Sequence, residues 1–243
     1  KATAADQTWS GSSGLLGIGS IAGVTGQDIG VAVVDSGISP HAALANKVVA
    51  NISFVTGDSS VLDAFGHGTH VAGIIAGTGS VASSVTPLYK GGIAPGVKLV
   101  NVRVLGANGS GLTSDVIAGI EWAINNRAKY NIRVINLSLG HPVFESCVTD
   151  LLCQKVQNAV DNGIVVVASA GNSGKSVDGR TVLGSITVPG NSPVALTVGA
   201  LNTWGTTGRS DDSVTTYSSR GPTRYDNIVK PDLAAPGNKI ISL

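Results

Sequence analysis

A chain of 243 residues suits one α/β domain or two small ones. Hydrophobic residues make up 42% and charged residues 13%, with a formal net charge of +1. That composition allows a large core, argues against disorder, and removes the electrostatic case for nucleic acid or an anionic membrane. No apolar run approaches the roughly 20 residues of a membrane span. No basic stretch leads into an apolar one as in a signal peptide, and the absence of Met leads us to expect a processed or cut chain.

The polar, glycine-rich stretch 1–27 is expected to wrap the surface. Short apolar runs follow at 29–34, 97–104, 132–137, 164–168 and 194–198, several rich in Val and Ile and ended by Gly or turn residues. Strands buried on both faces of a parallel sheet read this way. Helical patterns lie between them. The first, at 69–76, is small and apolar. The second, at 114–130, has Ile117, Ile120, Ala123 and Ile124 at helical spacing and Ser114 as N-cap. The third, at 151–161, is stopped by Asn162-Gly163. Alternation of strand and helix predicts right-handed crossovers and a three-layer α/β/α domain with a mainly parallel sheet, spanning 1–243 without an internal boundary. At the end, Asn238-Lys239 reads as a turn and Ile240-Ile241-Ser242-Leu243 as the start of a strand.

In such a sheet, chemistry collects at the carboxyl ends of the strands. Asp35 ends the first apolar run, where burying a carboxylate is costly unless it is paired; a plain turn Asp is the alternative. In "DAFGHGTHVAGIIAG", Gly66 and Gly68 bracket His67, so the backbone can turn sharply and present the imidazole. His67 and His70, three apart, share a helix face only roughly, and Asp63 is the only further metal ligand nearby in sequence. Gly73 lets another segment pack closely on that helix. In the loop Gly171-Asn172-Ser173-Gly174, the Asn172 amide is free either to donate to an anion or to bond its own backbone. A phosphate loop fails because Ser169 stands where Gly is required, and no G-x-G-x-x-G follows a strand. This argues against a nucleotide-binding α/β protein. Cys147 and Cys153 fit no zinc spacing; a disulfide, which suits an exported protein, and two free thiols both remain open.

The segments "VVDSGI", "GHGTHVAG", "GSG" at 109–111, "IEWAI", "NLSLG", "ASAGNSG" and "DLAAPG" occur in that order between 30 and 237. Together they resemble the subtilisin-like (subtilase) serine peptidases. The resemblance implies that Asp35 is the triad carboxylate, His67 the general base, His70 a buried structural residue and Asn172 an oxyanion donor. It implies that a protein or peptide substrate binds as an added strand between Gly109-Ser110-Gly111 and Ser138-Leu139-Gly140. The first specificity pocket would lie between Leu139-Gly140 and Ser169-Ala170-Gly171, whose small walls suit a sizeable apolar side chain. Val188-Pro189 is expected to be cis.

The same resemblance implies a secreted protein that needs no cofactor for catalysis. The family's tight calcium site is expected to be absent, since Ala43 stands where an Asp would and "GTGSVASSVTPLYKGG" lacks an Asn-rich run. A weaker cation site from the carbonyls of Gly190 and Ala195 with Asp232 is left open. The family's nucleophile sits in a Gly-Thr-Ser motif beyond "APG"; this chain contains no Gly-Thr-Ser and no G-x-S-x-G. The nucleophilic Ser, its helix and one oxyanion N–H are therefore expected beyond Leu243, leaving the fold incomplete at its C-terminus and this chain inactive alone. Its own missing C-terminal segment and a propeptide are the expected partners besides substrate. The competing reading is a non-catalytic relative that binds peptides or a partner through the same groove.

Overall fold

The computed structural model describes residues 3–11, 23–82, 88–206 and 208–243. In chain order it contains α1 (Asp6–Trp9), β1 (Gly30–Asp35), a 3-10 turn (Ala42–Leu44), β2 (Val48–Ser53), α2 (His67–Ala76) and α3 (Gly79–Ala82). Then come β3 (Lys98–Arg103), α4 (Thr113–Asn125), β4 (Ile132–Leu137), α5 (Leu151–Asp161), β5 (Val165–Ser169), β6 (Leu196–Asn202), β7 (Ser213–Val214) and β8 (Leu233–Pro236). The strands form one sheet in the order β2-β3-β1-β4-β5-β6-β7, with β8 also on β6. All pairs are parallel except β6 with the short β7.

The central strand β1 explains the continuous apolar runs. Ala32 and Val34 pack with Val100, Val102, Ile120 of α4 and Val156 of α5. Val31 and Val33 pack on the opposite face with Leu99 and with Ala72 and Ala76 of α2. Because successive side chains alternate faces, a strand covered on both sides favours apolar residues at consecutive positions, as at 31–34. Each fully buried Val or Leu contributes about 1.5–3 kcal/mol. The result is the three-layer α/β/α arrangement, with α2 on one side and α4 and α5 on the other.

Several boundaries differ from expectation. Helix α4 starts at Thr113 after an extended Leu112 and has no side-chain cap; Ser114 lies inside its first turn and reaches Asp115 instead. It ends at Asn125 rather than 130, where the Asn126 side chain bonds the Trp122 carbonyl. Helix α2 starts at His67 itself. β2 and β7 escaped the apolar-run test because their exposed positions interrupt the pattern. Residues 240–243 are not a strand. The strand is the preceding β8; Lys239 at φ 54° then turns the chain off the sheet. Ser242 there donates to the His70 carbonyl at 2.7 Å, and an added Cβ at Gly73 would lie 2.3 Å from the Ser242 hydroxyl. Gly73 thus admits close packing as its position predicts.

Val188-Pro189 is cis, as are the unforeseen Gly221-Pro222 and Lys230-Pro231. Cys147 and Cys153 form a disulfide with Cα atoms 5.4 Å apart. Cys147 lies in the turn before α5, so helix periodicity does not separate the two thiols. Of the stretch 1–27, Trp9 is tied to the surface through its indole N–H and the Ile93 carbonyl, and 12–22 lie outside the described residues. Among the described residues, no helix is long and apolar enough to cross a membrane.

Candidate active site

Asp35 closes β1 and is fully buried. His67 opens α2, and its Nδ1 lies 2.8 Å and 3.0 Å from the two Asp35 carboxylate oxygens. A carboxylate only accepts, so Nδ1 carries the proton and Nε2 keeps its lone pair. The hydrogen bond that His67 donates to Asp35 raises the imidazole pKa; burial opposes this, and the charges of Asp35 and Asp63 add to the rise. The backbone makes the meeting feasible. Gly66 sits at φ 99°, a left-handed conformation that lets the chain enter α2 abruptly. A Cβ on Gly68 would lie 2.1 Å from the Gly37 carbonyl, so only glycine lets α2 start this close to the end of β1.

His67 lines a cleft of about 360 Å³. Gly109, Ser110 and Gly111 form one wall and Ser138, Leu139 and Gly140 another, which brings six predicted substrate residues together with His67. Leu105, Val116 and Leu152 add an apolar floor that the motifs did not reveal; these are ordinary core apolar residues in sequence, and only the fold opens them to the cleft. Ser169 donates to the Leu139 carbonyl at 3.4 Å, and Ala170 is buried behind it, so Ser169, Ala170 and Gly171 flank this cleft without lining it. Asn172 is exposed. The backbone around it is fixed, with Gly171 accepting from Ser219 N and Gly174 donating to the Tyr217 carbonyl, both at 2.9 Å.

His70 does not take the buried position expected of it. It is half-buried, and its Nε2 donates to the Ile240 carbonyl at 3.3 Å. The first turn of a helix that begins at His67 is still near the surface. Sequence reading also passed over Ser36, which is buried beside Asp35, and assigned Asp63 no role beyond a metal ligand. The signal available was that Asp63 precedes the helix by four residues.

The three groups proposed for a cation have partners within the protein. The Lys230 ammonium donates to the Ala195 carbonyl and to Asp232 Oδ2, both at 2.7 Å, while the Gly190 carbonyl accepts from Thr197 Oγ1 at 2.6 Å. A metal ion there would have to displace the ammonium. Where the tight site was considered, Ala43 is buried in the 3-10 turn, and 83–87 of the adjacent loop lie outside the described residues. Among the described residues, no three His, Cys, Asp or Glu side chains cluster to hold a metal.

Comparison with known proteins adds to this geometry. The model of the Subtilase family matches residues 26–242. Serine protease AprX of Bacillus subtilis is 40% identical over 229 residues, covering 90% of this chain and 48% of that protein. Subtilisin Savinase of Lederbergia lenta is 43% identical over 178 residues, covering 73% of this chain and 57% of that one. The chain thus spans about half the length of these relatives. Among solved structures, a cold-adapted subtilisin-like serine proteinase superposes with a TM-score of 0.67 at 32% identity, covering 91% of this chain and 67% of its own. Sphericase superposes with a TM-score of 0.71 at 31% identity, covering 90% and 69%.

Proposed function

The chain belongs to the subtilase family, and on that premise we propose that its protein is a secreted serine endopeptidase acting on protein or peptide substrates. One observation carries the reading: a buried Asp35 carboxylate grips His67 Nδ1 at 2.8 Å at the wall of a glycine-sided cleft. Asp35 holds the tautomer in which Nε2 accepts the proton of a serine hydroxyl as that oxygen attacks the peptide carbon. His67 returns the proton to the leaving amine. The Asn172 amide donates to the developing oxyanion. Glycines at 109, 111 and 140 leave room for the substrate backbone to add as a strand.

The serine comes from a Gly-Thr-Ser segment outside these 243 residues, since none occurs within them. The chain alone is accordingly inactive, and that outside segment and a propeptide are its partners besides substrate. No cofactor takes part in the chemistry. Structural calcium is not needed at 190, 195 and 232, where Lys230 supplies the positive charge. The Cys147–Cys153 disulfide supports an oxidising, extracellular setting.

The test is hydrolysis of casein by the full-length protein and its His67→Ala variant. The expected loss in kcat is on the order of 10⁶, a scale measured in subtilisin rather than derived from this structure. Undiminished hydrolysis overturns the reading.

A further inference from the structure

The loop before α2 converges on one carboxylate that the triad does not use. Asp63 Oδ1 accepts from Ser36 Oγ at 2.8 Å, Gly66 N at 2.7 Å and Phe65 N at 3.1 Å, and Oδ2 accepts from Thr69 N at 2.8 Å. Ser36 joins this carboxylate to the catalytic pair. Its hydroxyl accepts from Gly68 N at 2.9 Å, and its own N–H donates to Asp35 Oδ1 at 2.7 Å. Ser39 completes the seam: its N–H donates to Thr69 Oγ1 at 3.0 Å, and its hydroxyl receives Asp63 N–H at 3.1 Å. The loop is pinned from beneath by the buried Arg103, which bonds the Ser60 carbonyl at 2.6 Å and Asp58 at 2.8 Å. Asn101 bonds the Val61 carbonyl at 2.9 Å.

We propose that Asp63 is a positioning residue for His67: through Ser36 and the first turn of α2 it fixes the imidazole against Asp35. The proposal rests on His67 as general base. A helix cap alone requires only the bonds to the first-turn N–H groups. The bond from Ser36 goes further, because Ser36 is held at the same time by Asp35 and by the residue after His67. Burial resists ionisation of Asp63, but the hydrogen bonds from Thr69, Gly66 and Ser36 outweigh it and hold the carboxyl below its ordinary range. The charge so held acts on His67. The charged groups acting on His67 are Asp35 from β1 and Asp63 from the loop. Arg103 from β3 is occupied by Asp58, and His70 on α2 bonds the Ile240 carbonyl.

The experiment compares full-length protein with Asp63→Asn, Ser36→Ala and His67→Ala on a peptide substrate across pH. Asp63→Asn is expected to lower kcat about tenfold with KM changed less than about twofold, since the loss is one of orientation. It is also expected to move the acid limb of kcat/KM down by about half a pH unit, from removal of a nearby negative charge. Ser36→Ala leaves the bonds from Gly66 N and Thr69 N to Asp63 in place, removes only the link through Ser36 to Gly68 N, and is expected to lower kcat by a smaller factor, about threefold; it decides the matter if Asp63→Asn does not fold. A merely structural Asp63 would lower the melting temperature while the folded variant kept its kcat; the limb moves with the lost charge in either case. If Asp63→Asn, or Ser36→Ala in its place, keeps the native kcat while His67→Ala is dead, the positioning proposal falls and the catalytic reading stands. If His67→Ala remains active, both fall.

Discussion

Two aspartate–cation pairs in this molecule have opposite exposure. In Asp35–His67 the carboxylate is fully buried and the imidazole side chain is 42% exposed. In Asp232–Lys230 the ammonium-bearing side chain is 1% exposed and the carboxylate 36%. Each buried charge is satisfied by more than its partner: Asp35 also accepts from Ser36 N, and Lys230 also donates to the Ala195 carbonyl. The exposed member decides what the pair can do. An exposed imidazole on a buried carboxylate can exchange protons with a bound molecule near neutral pH. A buried ammonium bonded to an exposed carboxylate and to the Ala195 carbonyl acts instead as an internal cation that ties β8 to the turn before β6.

The largest test of this contrast is Asp35→Asn in the full-length protein. An amide presents its N–H₂ or its weaker carbonyl to His67 and no longer fixes the tautomer. We expect kcat to fall by about 10⁴, read by steady-state kinetics, with the fold retained by circular dichroism. Lys230→Met should do the reverse. It leaves the Ala195 carbonyl without its donor and costs roughly 2 kcal/mol of stability, discounted for the solvent around Asp232, while kcat stays within about twofold. Measured by denaturant unfolding, an unchanged stability would remove the internal-cation account.

The smallest effect is the pH dependence of stability, whose sign differs between the pairs. His67 is raised above 6.5 chiefly by its hydrogen bond to Asp35. Its pair therefore contributes fully below the unfolded imidazole value and is lost as pH rises through the raised one. For Asp232, burial opposes ionisation, but the bonds from Lys230 and Thr197 N prevail and lower its pKa below 3.8. That pair contributes above the unfolded carboxyl value and is lost as pH falls through the lowered one. Melting temperatures across pH should show Asp35→Asn removing slope near neutrality and Lys230→Met removing slope in acid. The same slope in both variants would mean that the pairs do not differ as described.

Much of the fold was legible because the sheet is covered on both faces. That condition favours apolar side chains at Val31, Ala32, Val33 and Val34 of β1 and at Leu99, Val100 and Val102 of β3, with turns between them, so runs of Val and Ile mark the strands. Where one face is open, as in β2 and β7, the signal disappeared. The tail was misread for a related reason: in "IISL" Leu243 packs on the cluster around Val31 beside α2, while Ile240 and Ile241 stay exposed and no residue of the segment enters the sheet. Ser114 looked like a cap from its residue type alone, whereas the extended backbone of Leu112 sets the start of α4 one residue earlier.

The sequence by itself determined the class of fold, the order of the family's segments, and the candidates Asp35, His67 and Asn172. The fold class rests on local composition and spacing, while the three candidates rest on the resemblance that those segments carry to the subtilisin-like peptidases. Only the tertiary structure decided that Asp35 and His67 meet across 32 residues, that Ser36 and Asp63 brace them, and that Lys230 occupies the place considered for a cation. It also closed the disulfide left open between two thiols. Such contacts depend on strand register and loop path. A shift of one residue in either would turn these side chains away, and no periodicity in the sequence records it.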